Sequence, residues 1–172
     1  MASYKAEIKQ IPEHIVYYKD YYASSISDFL NLSKEDNFLQ DLSDRVMAEN
    51  PQIHLTEPDY NVLLYLDGDF REQNIHYRFC DAVTGFGRDG QDYKFARIEG
   101  FTAVSVLHKG PYRRLGEAYK FAKKWMEDCG YIQSGPPRDS AIDGCWNRES
   151  EEDYLTEIQI PVVQKTKERS QR

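Results

Sequence analysis

The chain has 172 residues, with 22 Lys and Arg against 29 Asp and Glu, for a formal net charge of -7. That length suits one medium domain or two small fused units able to bury a core. An acidic chain without a basic cluster is a poor match for nucleic acid, which needs phosphate-neutralising Lys and Arg on one face. No apolar stretch approaches the ~20 residues of a membrane helix.

In chain order, residues 8–22 read as extended, with Pro12 as punctuation and Ile15, Val16, Tyr17 and Tyr18 supplying β-propensity. Ser33 or Asp36 is placed to cap a helix carrying Phe38, Leu39, Leu42, Val46 and Met47, and Asn50-Pro51 stops it. A strand follows over 60–66, with Val62, Leu64 and Leu66 on one face. Asp67-Gly68-Asp69 marks a turn, and 75–83 forms the next strand. Gly85-Phe86-Gly87-Arg88-Asp89-Gly90 matches G-x-G-x-x-G, but a strand-like run over 93–98 follows where a dinucleotide site needs a helix. The segment reads as a flexible linker.

The pattern then repeats. Residues 101–108 alternate as a strand, and Gly110-Pro111 breaks it. Leu115, Ala118, Tyr119, Ala122, Trp125, Met126 and Cys129 share one side of a helix that Gly130 is suited to end. Gly135-Pro136-Pro137 turns into a short strand over 139–143, and 154–163 makes the last strand, where Pro161 ends the ladder.

Each half therefore reads strand–helix–strand–strand. The halves span about 4–84 and 93–163, with a linker at 85–92 and a charged tail at 164–172. The expected fold is α+β: duplicated β-α-β-β units in one pseudo-twofold antiparallel sheet, helices on one face and a ligand groove on the other. The closing hairpins align without gaps from Arg71 against Ser150 to Phe79 against Ile158, which puts Arg78 in the place of Glu157.

Glu157 is out of phase with Ile158 and Ile160, so it points to the face those residues leave. Against aromatics it would be a cation anchor or a general acid/base; facing water or bridged to Arg78 it would be an ordinary paired carboxylate. The composition supplies aromatics, with 13 Tyr, 8 Phe and 2 Trp. Trp146, in a loop, either plugs the core or walls a ligand site. Tyr112 divides between helix-start packing and pocket lining, and Tyr60 and Tyr65 divide similarly. His14, His54, His76 and His108 lie in separate segments without metal-ligand spacing, so no metal or cofactor is expected. Cys80, Cys129 and Cys145 form no C-x-x-C and read as reduced thiols of a cytoplasmic protein.

His108-Lys109-Gly110-Pro111-Tyr112, the helix after it, Gly135-Pro136-Pro137-Arg138-Asp139 and the strand 154–162 with Glu157 together resemble the GyrI-like family. That family includes effector-binding domains of MerR- and AraC-type bacterial transcription activators. Leu55-Thr56-Glu57-Pro58-Asp59-Tyr60 and Asp67-Gly68-Asp69-Phe70 look like its MerR-associated branch. The resemblance implies the duplicated fold and a groove for hydrophobic, drug-like and often cationic molecules. By position it adds Tyr154 to Glu157 and Tyr112 as candidate ligand-binding residues, beside Tyr60, Tyr65, Arg78 and Trp146. It also implies two rivals: hydrolysis of cyclopropane-bearing genotoxins, with Glu157 as base and Tyr112 as donor, and inhibition of DNA gyrase. Direct nucleic-acid and membrane contact are not expected of this domain, and a homodimer stays open.

Overall fold

The alternating runs become strands and the apolar stripes become helices in the computed structural model, which describes residues 3–166. In chain order these are β1 (Ala6–Ile11), β2 (His14–Ser25), α1 (Ile26–Asp36), α2 (Phe38–Glu49), β3 (Asn61–Tyr65) and β4 (Gln73–Val83). The second half supplies β5 (Lys94–Ile98), β6 (Phe101–Lys109), α3 (Leu115–Cys129), β7 (Tyr131–Gln133), β8 (Arg138–Asp143) and β9 (Leu155–Gln164). No described helix is long and apolar enough to cross a membrane. Of the expected charged tail, 167–172 lie outside the described residues.

Helix α3 forms where its stripe demands it: Leu115, Ala118, Tyr119, Ala122 and Met126 are buried, and Gly130 at φ 77° takes the left-handed turn that ends it. The first half departs from expectation by carrying two helices. Ser25 caps α1 by accepting the Asp28 amide at 3.1 Å, and Asn37 at φ 57° breaks the chain before α2. Ser33 and Asp36, the expected caps, lie inside α1. Among the described side chains of α1 only Ile26 and Phe29 are fully buried, an inward stripe too thin to outweigh its polar sequence.

The sheet runs β1-β6-β9-β8-β3-β4-β2-β5, all neighbours antiparallel, with β7 added beside β9. Its centre is symmetric. Leu63 on β3 stands opposite Asp139 on β8 where the halves meet. One strand further out, Leu63 faces Phe79 and Asp139 faces Ile158. That is the register of the gap-free alignment, so Arg78 and Glu157 occupy equivalent places.

The outer strands are exchanged: β1 of the first half pads β6, and β5 of the second half pads β2. Ala6 faces Val106, Ile11 faces Phe101, His14 faces Ile98 and Tyr18 faces Lys94. This is one ladder in unbroken register, interrupted only around Pro12 and Gly100. It joins the two edges and curls the sheet.

The faces differ as a result. Tyr17, Leu63, Tyr65, Tyr77, Phe79, Ile158 and Ile160 pack with the helices in the main core. The helix-free face closes over a smaller cluster of Val16, Val62, Cys80 and Ala82, joined by Tyr18, Tyr60 and Ile98. Segment 85–92 is fastened to the end of α2: the Arg88 amide donates to Asn50 Oδ1 at 2.8 Å. A Cβ on Gly87 would lie 2.6 Å from that oxygen, so glycine permits the approach.

Candidate functional site

A cavity of about 460 Å³ lies over β3, β4, β8 and β9, between helices α1 and α2 on one side and the Tyr112 turn and Trp146 loop on the other. It opens on the helix-bearing face, whereas the sequence places the groove on the opposite one. The curl explains the difference, because the helix-free face is filled by its own side chains. On the helix face each half covers its own strands and leaves the junction open.

Ile26, Leu30, Leu39, Leu55, Leu63, Phe79, Ala141 and the rings of Tyr112 and Trp146 make the apolar lining. Trp146 is 58% exposed. It is presented by a tight turn in which Asn147 Oδ1 accepts the Gly144 amide at 2.9 Å. The Tyr112 ring is buried and leans on Tyr154 at 5.2 Å between centroids, and its hydroxyl has no partner among the described residues.

Three carboxyls line the same space: Asp59, Asp81 and Asp139. Asp139 is buried at the junction and accepts the hydroxyls of Tyr65 and Tyr119, each at 2.6 Å. Burial pushes its carboxyl up to about 7, against the downward pull of the two tyrosine hydrogen bonds. Asp81 is 6% exposed and takes the Tyr17 hydroxyl on Oδ2 at 3.2 Å. Burial, then the carboxyl of Asp59, pushes Asp81 up to about 9. Its Oδ1 has no donor among the described residues.

The seven residues singled out from sequence are divided by the sheet. Tyr112 and Trp146 line the cavity. Tyr65 lies in the core, tied to Asp139, and Tyr154 backs Tyr112. Tyr60, Arg78 and Glu157 are on the helix-free side. Tyr60 stacks on His14 at 4.1 Å and donates to Gln159 Oε1 at 2.7 Å. Arg78 holds Asp20 through two hydrogen bonds of 2.8 and 3.1 Å and lies over the Tyr18 ring. Glu157 accepts from Lys9 at 3.1 Å, Ser105 at 2.5 Å and Gln159 at 3.1 Å, so no Glu157–Arg78 bridge forms. Glu157 and Tyr112, the pair implied for hydrolysis, are therefore on different sides of the sheet.

Sequence reasoning passed over Phe79, Asp81 and Asp139. Asp81 carried a readable signal: it shares the phase of Ile75, Tyr77 and Phe79, so an acid stands in an otherwise apolar row. Asp139 opens the short strand expected over 139–143, and only pairing with β3 shows it at the centre of the sheet.

The model of the GyrI-like small-molecule binding domain family matches residues 7–163. No curated protein sequence matches the chain. The crystal structure of the C-terminal domain of EcmrR, a MerR-type regulator, is 40% identical with a TM-score of 0.84, covering 94% of this chain and 98% of that one. EcmrR in its DNA complex, solved by cryo-electron microscopy, is 40% identical with the same TM-score. There the match covers 95% of this chain and 58% of that one, so the present chain spans little over half the length of the EcmrR chain in that complex. A Listeria innocua hydrolase encoded by lin2189 shares the fold at 13% identity and a TM-score of 0.61, over 92% of each chain.

Proposed function

The chain belongs to the GyrI-like small-molecule binding domain family, and on that premise we propose that it captures a hydrophobic, aromatic small molecule in the cavity between its helices. The observation that carries the proposal is the cavity itself. Its ~460 Å³ falls within the usual range for small-molecule sites, and it has aromatic walls with a few convergent polar groups. Phe79, Tyr112 and Trp146 offer ring faces that accept flat molecules of varied outline, and such faces attract cations. With three carboxyls in the same lining, a lipophilic cation suits the site better than an anion.

Match to the C-terminal domain of EcmrR supports a role as the sensing part of a transcription regulator working in the cytoplasm. The acidic charge of -7 favours ligand capture over direct nucleic-acid contact by these residues.

The test uses the tryptophans. Trp125 stacks on Tyr131 away from the cavity, so Trp125→Phe leaves Trp146 as the only reporter. Titration with flat aromatic dyes and with tetraphenylphosphonium is expected to quench Trp146 saturably. Ala141→Phe, which fills the cavity without adding a second tryptophan, is expected to abolish the response. Absence of saturable quenching by every aromatic ligand tried would overturn the proposal.

A further inference from the structure

We propose that Asp59 and Asp81 form a proton-exchanging cation subsite at one end of the cavity: they share one proton when no ligand is bound, and a cationic ligand displaces it. This inference rests on the cavity being the ligand site and assigns the residues that set its preference for charge.

The two carboxyls are held together by the backbone. Asp81 on β4 pairs with Asn61 on β3, and Asn61 Nδ2 donates to Asp59 Oδ2 at 3.1 Å. Asp59 is exposed at the cavity edge, and it and buried Asp81 line the same space. Two neighbouring carboxylates cannot both ionise at low cost, but one proton between them makes a strong hydrogen bond. Asp81 Oδ1, which lacks any N–H or O–H donor among the described residues, is the atom left needing that proton or a replacement.

The other groups facing Asp81 do not supply a substitute charge. From β2, Tyr17 donates its neutral hydroxyl to Oδ2, and its own ionisation is pushed far up by burial and by Asp81. On α2, Ser43 lines the cavity beside Tyr17 and Gln40 is neutral. From β8, Asp139 lines the same space and is itself acidic. Among the described residues the only cation in the lining is Lys34 on α1, which is exposed at the rim and has no ion pair among the described contacts. A ligand cation lying against Phe79 would thus meet a pair carrying one negative charge. It would release the proton to solvent and leave two.

Exchange ties affinity to pH. Burial and Asp59 raise the proton affinity of Asp81 to about 9, so at neutral pH the proton is present to be displaced. Below that value, each unit rise in pH should tighten a permanent cation by up to about tenfold, levelling off above it.

The experiment is calorimetric titration of the whole chain with tetraphenylphosphonium, which does not titrate, and with neutral triphenylphosphine oxide. It is run from about pH 8 to 9, above the value near 7 to which burial raises Asp139, in buffers of different ionisation enthalpy. For wild type we expect affinity for the cation to rise several-fold per pH unit with release of close to one proton, and affinity for the neutral probe to stay constant. Asp59→Asn and Asp81→Asn should each bind the cation at least tenfold more weakly near pH 8, and Asp81→Asn, which removes the buried carboxyl, should also lose the slope and the proton release. Cation binding by wild type with no slope and no released proton would overturn the inference while leaving the cavity reading intact. Binding of neither probe would overturn the reading beneath it.

Discussion

Glu157 meets Lys9, with 3.1 Å between carboxylate and ammonium, on the side of the sheet away from the cavity. Lys9 belongs to the exchanged strand β1, so the partner that holds this last-strand acid comes from the other half of the chain. Ser105 and Gln159 complete its hydrogen bonds. Glu157→Gln keeps the shape and removes the charge. Because Lys9 is 40% exposed, solvent screens the pair, and the loss in stability should stay near ~1 kcal/mol. Affinity for an aromatic ligand should change less than about twofold, since 1.4 kcal/mol or more would be needed for tenfold. Urea unfolding and dye titration of the same variant check both.

Asp139 gives the opposite expectation. It joins Tyr65 from the first half to Tyr119 on α3 of the second. Asp139→Ala leaves two buried hydroxyls without an acceptor and opens a hole beside the cavity, at a cost of about 3 kcal/mol or more. Tyr65→Phe and Tyr119→Phe each remove one donor and should cost about 1 kcal/mol. Denaturant midpoints of the three variants rank them.

Tyr112 and Trp146 separate binding from stability. The Tyr112 hydroxyl is buried without a partner among the described residues, so Tyr112→Phe should leave the melting temperature unchanged or higher. Trp146 is 58% exposed, so Trp146→Ala should alter stability by less than about 0.5 kcal/mol. Loss of its ring from the cavity wall should nonetheless weaken an aromatic cation roughly tenfold. Thermal melts paired with ligand titration distinguish the two effects.

Stability should also record the proton on Asp81. Folding raises this carboxyl to about 9 from the ~3.9 of an unfolded aspartate, so the folded chain keeps a proton that the unfolded chain releases. The stabilisation is complete below about pH 4 and is lost as pH rises towards about 9. Asp139, raised to about 7, acts in the same direction over a shorter window. Asp81→Asn removes only the first contribution. Its stability relative to wild type should therefore improve by at least about 1 kcal/mol between pH 5 and pH 8. Parallel pH profiles would show that Asp81 holds no such proton.

Much of the architecture was legible from periodicity. The last strand, the α3 stripe and the alignment of Phe79 with Ile158 needed only the spacing of apolar residues, and the structure keeps that register. Helix α1 was hidden because few of its side chains turn inward. The site was harder to read, because strand phase separates two faces without saying what covers either. Glu157 was correctly out of phase with Ile158, but the space it points into is decided by the ladder joining β1–β2 to β5–β6. No local pattern encodes that closure. Tyr112 and Trp146 reach the cavity because they lie outside the strands, where phase places no constraint on them.

The central claim is that ligand sits on the helix side of the sheet, between α1–α2 and Trp146. Anomalous diffraction from a crystal soaked with a brominated aromatic cation tests it most directly. A bromine peak within contact distance of Phe79, Tyr112 and Trp146, lost in Ala141→Phe, is the predicted result. A peak on the other face, beside Glu157 and Lys9, would contradict it.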